Sequence, residues 1–209
     1  MKVIVFGATG TVGKQVTMQA LGLDYQVTAF VRNKKNSPWE IDHENLNVVE
    51  GDVLNSVSVI NAMKGHDAVI CVLGAGRKGK VRAEGTRNII VAMEKLGIKR
   101  LICQSTLGAG ESWANLNFFW KYIMFGWFLK DAYEDHQLQE EYVKSSPLDW
   151  TLVRPGAFVD GPATGNFKHG FSPGEKAIKL KISRADAAMF LLMQLGSHQY
   201  LRSAASLSY

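Results

Sequence analysis

The sequence predicts an α/β domain whose mainly parallel sheet is covered by helices on both faces. Short apolar runs rich in β-branched residues alternate with longer stretches of helical spacing, which is the pattern of such sheets. A glycine-rich turn directly follows the first run, and the 209 residues suit one hydrophobic core. The composition, 46% hydrophobic and 21% charged, is ordinary for a soluble globular protein. We therefore expect residues 1–209 to fold as a single domain.

The predicted strands and helices alternate along most of the chain. Strands are expected at residues 2–7, 26–32, 46–52, 67–73, 99–105 and 149–154, and helices at residues 11–21, 55–63, 83–96 and 131–144. Ser183, with Asp186 three residues later, predicts the start of a final helix. Glycine and proline concentrate in residues 155–174, which predicts a long loop after the sixth strand. Parallel sheets bind ligands beyond the carboxyl ends of their strands, so the site is expected there.

Charge, cysteines and histidines argue against several classes of function. The net charge is +5, but positive residues are spread out except in residues 32–35 and 77–82, which favours a small anionic ligand over nucleic acid. Cys71 and Cys103 lie inside apolar runs, as expected for core residues in a reducing compartment, and the five histidines lack metal-ligand spacing. The chain opens with a strand rather than a signal peptide, and Lys121 interrupts the most apolar stretch. We expect a cytoplasmic monomer that binds no metal or nucleic acid and does not insert stably into membranes.

The turn after the first strand has the glycine spacing of a dinucleotide-binding loop. Gly7 permits the sharp turn, Gly10 lets the backbone approach a pyrophosphate, and Gly13 allows close packing of helix on strand. The amides at the start of the next helix then face the anion. A nucleoside-triphosphate loop is disfavoured, because Lys14 is followed by Gln15 and not by serine or threonine. The residues assigned to the dinucleotide phosphates are Gly7, Thr9, Gly10, Thr11, Val12 and Gly13.

The end of the second strand indicates which dinucleotide is bound. Sites that prefer NAD usually place a carboxylate there, which accepts hydrogen bonds from the ribose hydroxyls. This sequence has Arg32, followed by Asn33, Lys34 and Lys35, and a guanidinium group binds phosphate through two hydrogen bonds. The sequence therefore predicts NADP(H) as the cofactor, with NAD(H) bound more weakly.

Several motifs resemble those of a known superfamily. The GxxGxxG spacing, Asp52 after the third strand and the step Arg154-Pro155-Gly156 resemble the atypical short-chain dehydrogenases/reductases with NmrA-like sequences. Within that group the chain is most similar to the biliverdin-IX-beta reductase/flavin reductase family, through FGATG, VRN, EGDV, DAVI, EGTRNII, DH and LDWTLVRPGAF. The resemblance implies a Rossmann-type, doubly wound fold. It also implies cofactor contacts from Asp52, Val53, Leu73, Gly74, Asn88, Pro155 and Phe158.

The tyrosine–lysine pair that serves most short-chain dehydrogenases is absent. No tyrosine is followed by a lysine four residues later, and in the family's register Ala132 takes the tyrosine position and His136 the lysine position. Reduction of a simple ketone needs a positioned acid, whereas a flavin or linear tetrapyrrole spreads the new charge over many atoms. Ser105 falls where the superfamily keeps a hydroxyl beside the nicotinamide. We predict Ser105 and His136 as catalytic residues, with a strand-end cap and a structural histidine as the alternatives.

The acceptor is expected between two segments, residues 106–130 and 155–178. The predicted pocket residues are Thr106, Leu107, Trp113 and Ala157. Ala157 stands where the resembled family has a second histidine, so the substrate contact differs at that position. FMN, FAD or a biliverdin-like tetrapyrrole is expected as a substrate, and the flavin is not expected as a prosthetic group.

Two questions stay open at the level of sequence. Residues 111–130, called the aromatic segment below, are dense in tryptophan, phenylalanine and tyrosine, which is typical of core, of a lid over a flat substrate, or of a surface that binds a membrane or partner. The main alternative to a reductase is an NmrA-like redox sensor that binds NADP(H) without turnover. A nucleotide-sugar epimerase is disfavoured, because it would need the missing tyrosine–lysine pair and a larger substrate domain.

Overall fold

A computed structural model describes residues 1–35, 37–39, 43–76 and 80–209. Part of the predicted basic stretch, residues 77–79, lies outside the described residues. The described strands are β1 (Lys2–Phe6), β2 (Gln26–Val31), β3 (Leu46–Glu50), β4 (Ala68–Cys71), β5 (Arg100–Gln104), β6 (Asp149–Pro155), β7 (Ala157–Val159), β8 (Lys168–His169), β9 (Lys181–Ser183) and β10 (Ser203–Ser208). The helices are α1 (Thr11–Leu21), α2 (Ser56–Met63), α3 (Val81–Leu96), α4 (Lys130–Ser145) and α5 (Arg184–Met193), with a 3-10 helix at Gly110–Asn115 and a π-helix at Phe119–Phe128.

The main sheet has the order β3-β2-β1-β4-β5-β6-β10-β8. Its strands pair in parallel, except that β8 runs antiparallel to β10. The strand order reverses between β1 and β4, and a doubly wound sheet opens a ligand crevice at that point. This architecture confirms the predicted fold class.

Helices cover both faces of this sheet, and alternate residues of each strand point to opposite faces. Val3 and Val5 of β1 belong to the core under α1 and α5, whereas Ile4 and Phe6 belong to the core under α2, α3 and α4. Helices bury both faces of the central strands, which explains their nearly uninterrupted apolar character. Ser183 caps α5, as predicted, because its hydroxyl accepts a hydrogen bond from the Asp186 amide.

The prediction is wrong for the last third of the chain in two places. The expected loop of residues 155–174 begins with the end of β6 and contains β7, which pairs in parallel with β9. The helix that begins after Ser183 is also not the final element, since β10 follows it and lies beside β6 in the main sheet. The β10 sequence, SAASLS, has little intrinsic strand propensity, so pairing with β6 and burial decide its conformation.

Candidate functional site

A cleft of about 810 Å³ opens at the carboxyl ends of β1, β4, β5 and β6. Most of the residues predicted from the sequence line it, although they come from distant parts of the chain. These residues are Gly7, Thr9, Gly10, Thr11, Val12, Arg32, Val53, Leu73, Gly74, Ser105, Thr106, Leu107, His136, Pro155, Ala157 and Phe158. The structure thus brings the predicted dinucleotide end and the predicted acceptor end into one continuous cavity.

Four predicted residues do not line the cleft. Gly13 packs behind the glycine turn, and the exposed Asp52 accepts a hydrogen bond from the Leu54 amide at 2.9 Å. Asn88 donates a hydrogen bond from Nδ2 to the carbonyl of Val53 at 3.0 Å, so its observed contact is with the backbone of a residue that lines the cleft. Trp113 packs against Leu107 and Phe125 in a small aromatic cluster.

The glycine turn has the geometry that a pyrophosphate requires. Gly7 has φ of +89°, and a Cβ atom there would lie 2.4 Å from the Val72 carbonyl oxygen. A Cβ atom on Gly13 would lie 2.1 Å from the Gly7 carbonyl oxygen, so only glycine lets α1 approach β1 this closely. Gly10 is the N-cap of α1 and contributes no capping side chain. The first amides of α1 therefore have no intrahelical acceptor and are available to an anion.

The end of β2 places a positive charge at the edge of the cleft. Arg32 is exposed and lines the cleft beside Phe30 and Val31. The loop that follows is held by Glu50, whose Oε2 accepts the Lys34 amide at 2.7 Å. Within the described residues, no ion pair occupies the Arg32 guanidinium, which suits it to an anionic ligand.

Ser105 lies at the centre of the cleft, one residue beyond β5. Its amide donates to the Val153 carbonyl at 2.7 Å, and the residue is 2% exposed. Its hydroxyl oxygen is buried and has no hydrogen-bond partner among the described residues. A buried hydroxyl without a partner is costly, so a ligand in the cleft is a natural source of that hydrogen bond. The alternative of a strand-end cap would require a hydrogen bond that this hydroxyl does not make.

His136 is half-buried and lines the cleft from α4. Its Nδ1 lies 3.2 Å from Gln139 Oε1, and Gln139 Nε2 donates to the Thr86 hydroxyl at 2.9 Å. Because Gln139 offers an oxygen, Nδ1 carries the proton and Nε2 is left as an acceptor. Burial and then the positive charge of Arg82 lower the pKa of His136 to about 3. At neutral pH this side chain is therefore uncharged and accepts, rather than donates, a hydrogen bond through Nε2.

The aromatic segment divides between the cleft and the solvent. Leu116, Trp120, Phe125 and Leu129 line the acceptor end of the cleft, whereas the other large apolar side chains of the segment are mostly exposed. Of the three alternatives that the sequence leaves open, core therefore applies to only a few residues of the segment. The π-helix explains why Trp120 and Phe125, five residues apart, both face the cleft. Its i→i+5 hydrogen bonds widen the turn beyond 3.6 residues, so positions four and five apart lie on one side.

A buried ion cluster, formed by Arg154, Glu140 and Glu111, holds this end of the cleft. Arg154 is 1% exposed and donates from Nε and Nη2 to Glu140 at 2.8 and 2.6 Å, and from Nη1 to Glu111 at 2.6 Å. Burial opposes ionisation of Glu140, but the hydrogen bonds from Arg154 and Lys144 lower its pKa below the usual value. The cluster ties β6 to α4 and to the start of the aromatic segment. Sequence reasoning missed it, although an arginine that ends an apolar strand signals a buried partner.

A second buried ion pair joins α4 to α3. Asp135 accepts the backbone amides of Arg82 and Ala83 at 3.1 and 3.0 Å, and so caps the first turn of α3. It also pairs with the Arg82 guanidinium at 3.3 Å, and Arg82 donates to the Gly76 carbonyl. The predicted DH motif therefore has two parts, because Asp135 fixes the helices and His136 faces the cleft.

Comparisons with known proteins identify the family. A family model described as NAD(P)H-binding matches residues 7–198. The chain belongs to this NAD(P)H-binding family. Over 205 residues it is 33% identical to the UPF0659 protein YMR090W of Saccharomyces cerevisiae, covering 93% of this chain and 87% of that protein.

Solved structures agree with this assignment. The oxidoreductase ylbE from Lactococcus lactis matches with a TM-score of 0.84 and 26% identity, covering 100% of this chain and 90% of that one. ChuY from Escherichia coli O157:H7, described as an anaerobillin reductase, matches with a TM-score of 0.83 and 25% identity, covering 100% and 97%. The predicted resemblance to atypical short-chain dehydrogenases/reductases is thus confirmed, and the chain has the fold of NAD(P)H-binding oxidoreductases.

Other sequence predictions are only partly tested or stay untested. In the part of the chain that the structure describes, no helix is long and apolar enough to cross a membrane. Across the same residues, no three histidine, cysteine, aspartate or glutamate side chains gather as metal ligands. The roles assigned to individual site residues, the monomeric state and the cytoplasmic location stay predictions.

Proposed function

We propose that the protein is an NADPH-dependent reductase that transfers a hydride to a conjugated acceptor, either a flavin such as FMN or a linear tetrapyrrole. The observation that carries this proposal is that an unsatisfied Ser105 hydroxyl and a neutral His136 both line the cleft, whose acceptor end has aromatic walls. ChuY, which resembles this chain over its whole length, is described as an anaerobillin reductase. That likeness supports the same class of acceptor.

The groups around the acceptor end favour an acceptor that needs no strong acid. The tyrosine–lysine pair is missing from the sequence. The lowered pKa of His136 leaves its side chain uncharged at neutral pH, so its Nε2 has no proton to give. A simple alkoxide would therefore find no acidic donor at the positions of Ala132 and His136. A delocalised anion, by contrast, can take its proton from water. The bound nicotinamide would supply the hydride, and the protein would supply the relative position of the two rings.

Each residue has a defined task in this proposal. The Ser105 hydroxyl donates a hydrogen bond to a heteroatom of the acceptor, which also satisfies its buried oxygen. His136 Nε2 accepts a hydrogen bond from a ring N–H of a reduced flavin or tetrapyrrole. Trp120 and Phe125 form an aromatic wall suited to a planar ring system. The turn at Gly7 and Gly10 holds the pyrophosphate.

The preference for NADPH rests on Arg32. Its guanidinium stands at the edge of the cleft after β2, where the ribose phosphate of NADP would lie in a Rossmann-type site. Lys34 and Lys35 follow it on the same exposed loop and increase the positive potential.

The test is stopped-flow oxidation of NADPH with FMN, FAD, riboflavin or biliverdin in excess. We expect turnover with at least one of these acceptors, and deuterium at the transferred position of NADPH should slow it. Ser105→Ala should slow reduction about tenfold to a hundredfold while leaving NADPH affinity unchanged, because only a positioning hydrogen bond is lost. Ser203→Ala, an exposed serine outside the cleft, is the matched control.

One outcome would favour the redox sensor instead. If calorimetry shows tight NADPH binding but no acceptor in the panel oxidises it, the reductase proposal is wrong. Unchanged rates in Ser105→Ala, alongside normal turnover of the parent protein, would remove Ser105 from the mechanism.

A further inference from the structure

The outer face of the aromatic segment exposes large aromatic side chains close together. Phe118, Tyr122 and Trp127 are 71%, 59% and 80% exposed, and Phe119 and Ile123 lie beside them with about half or less of their surface exposed. Other exposed apolar side chains, such as Leu23 after α1 and Val57 in α2, belong to other parts of the fold. A soluble protein rarely exposes a contiguous apolar patch unless it binds something there.

Lysine is the charged residue type within this part of the aromatic segment. Residues 112–130 contain Lys121 and Lys130 and no acidic residue. The neighbouring loop adds Lys176, which donates to the Ala114 carbonyl at 2.6 Å. Acidic side chains flank the face at both ends, where Glu111 is held by Arg154 and Glu134 lies 3.9 Å from Lys130 in an exposed pair. The face therefore combines tryptophan, tyrosine and phenylalanine with lysine, the composition of helices that lie in a membrane interface.

This combination favours a lipid surface over a second copy of the chain. Two copies of a chain with a net charge of +5 repel each other, which opposes their association through this face. An anionic bilayer surface instead attracts the lysines and accepts aromatic rings at the level of its headgroups. The opposite side of the same segment, with Trp120 and Phe125, lines the acceptor end of the cleft.

We infer that the outer face of residues 118–127 docks reversibly on an anionic membrane surface. Docking places the aromatic rings at the headgroup level and sets the acceptor end of the cleft beside the bilayer. The surface is independent of turnover, so docking and the proposed reductase activity can each fail without the other.

The test is co-sedimentation of the full chain with vesicles of phosphatidylcholine and phosphatidylglycerol, and with phosphatidylcholine alone. We expect binding to the anionic vesicles that weakens as salt is added, because salt screens the lysines. Phe118→Ser/Trp127→Ser should lose most of the binding while NADPH affinity stays unchanged. Lys121→Gln should weaken binding about fivefold, as expected for one lysine near an anionic surface.

The matched control is Leu23→Ser/Val57→Ser, which removes two exposed apolar side chains elsewhere and should bind vesicles as the parent does. No binding of the parent chain to either vesicle would overturn the inference, and so would equal binding by Phe118→Ser/Trp127→Ser. Sedimentation velocity tests the alternative occupant, a second copy of the chain, by measuring whether the chain dimerises. Dimerisation that disappears in Phe118→Ser/Trp127→Ser would assign this face to a second copy and contradict membrane docking.

Discussion

The two ends of the cleft are built in different ways. The dinucleotide end consists largely of backbone from one continuous turn. In this turn Gly7 and Gly13 let backbone atoms approach each other more closely than any side chain would permit. The acceptor end is made of side chains from β5, the π-helix, α4 and the strand after β6, which are far apart in sequence. Its walls are held by the buried ion cluster around Arg154.

This difference suggests which end of the cleft tolerates amino-acid substitutions. A backbone cradle depends on a few glycines and binds the part common to all dinucleotides, so substitutions there should abolish binding altogether. An acceptor end made of side chains can change one residue at a time and keep the fold. The position of Ala157, where the resembled family has a histidine, is one such change.

The largest expected effect is at the backbone cradle. Gly10→Val should abolish dinucleotide binding and leave the fold intact, because its side chain would stand where the pyrophosphate approaches. A Cβ atom at Gly10 meets only the Gly7 carbonyl oxygen, at 3.2 Å, so the turn itself can adjust. Calorimetric titration with NADPH measures the loss, and far-UV circular dichroism checks the fold. Retained affinity with an unchanged spectrum would mean that the phosphates bind elsewhere.

The next effect concerns the support of the acceptor end. Glu140→Leu should lower the free energy of unfolding by about 3–5 kcal/mol, because it strands the buried Arg154 charge with one exposed partner. Urea denaturation measures it. Glu134→Gln, which breaks the exposed pair with Lys130, should cost less than about 1 kcal/mol. Similar losses in the two variants would show that the ion cluster does not hold this end.

A smaller effect tests the side chain that distinguishes the two dinucleotides. Arg32→Ala should weaken NADPH binding by about 1.5–3 kcal/mol, the range for a hydrogen bond to a charged group, and leave NADH binding unchanged. Arg87→Ala, an exposed arginine of α3, serves as the control. Equal weakening of both cofactors would remove Arg32 from recognition of the ribose phosphate.

The pH dependence of stability tests the protonation state of His136. Its pKa is about 3 in the folded protein and about 6.5 when unfolded, so the unfolded chain binds the extra proton between these values. Stability should therefore fall as the pH drops from 6.5 towards 3, by at most about 1.4 kcal/mol per pH unit from this residue. His136→Gln should flatten the slope in urea titrations, whereas His198→Gln, an exposed histidine, should not. An unchanged slope in His136→Gln would contradict the uncharged state of the His136 side chain in the folded protein.

The sequence by itself determined the parallel strands from β1 to β6, the helices between them and the dinucleotide turn. These features depend on local properties, namely apolar periodicity and the need for glycine where backbone atoms meet. The position of Ser105 at the end of β5 followed from the same alternation, and the structure places it in the cleft.

Only the tertiary structure decided the acceptor end. β10 becomes a strand because it pairs with β6, although SAASLS predicts no strand. The cleft-facing side of the aromatic segment depends on a π-helix, whose spacing no 3.6-residue pattern reveals. The state of His136 and the partners of Arg154 depend on groups that lie distant in the sequence or across a helix turn, such as Arg82, Gln139 and Glu111. Burial and long-range contacts set these properties, and neither can be read from neighbouring residues.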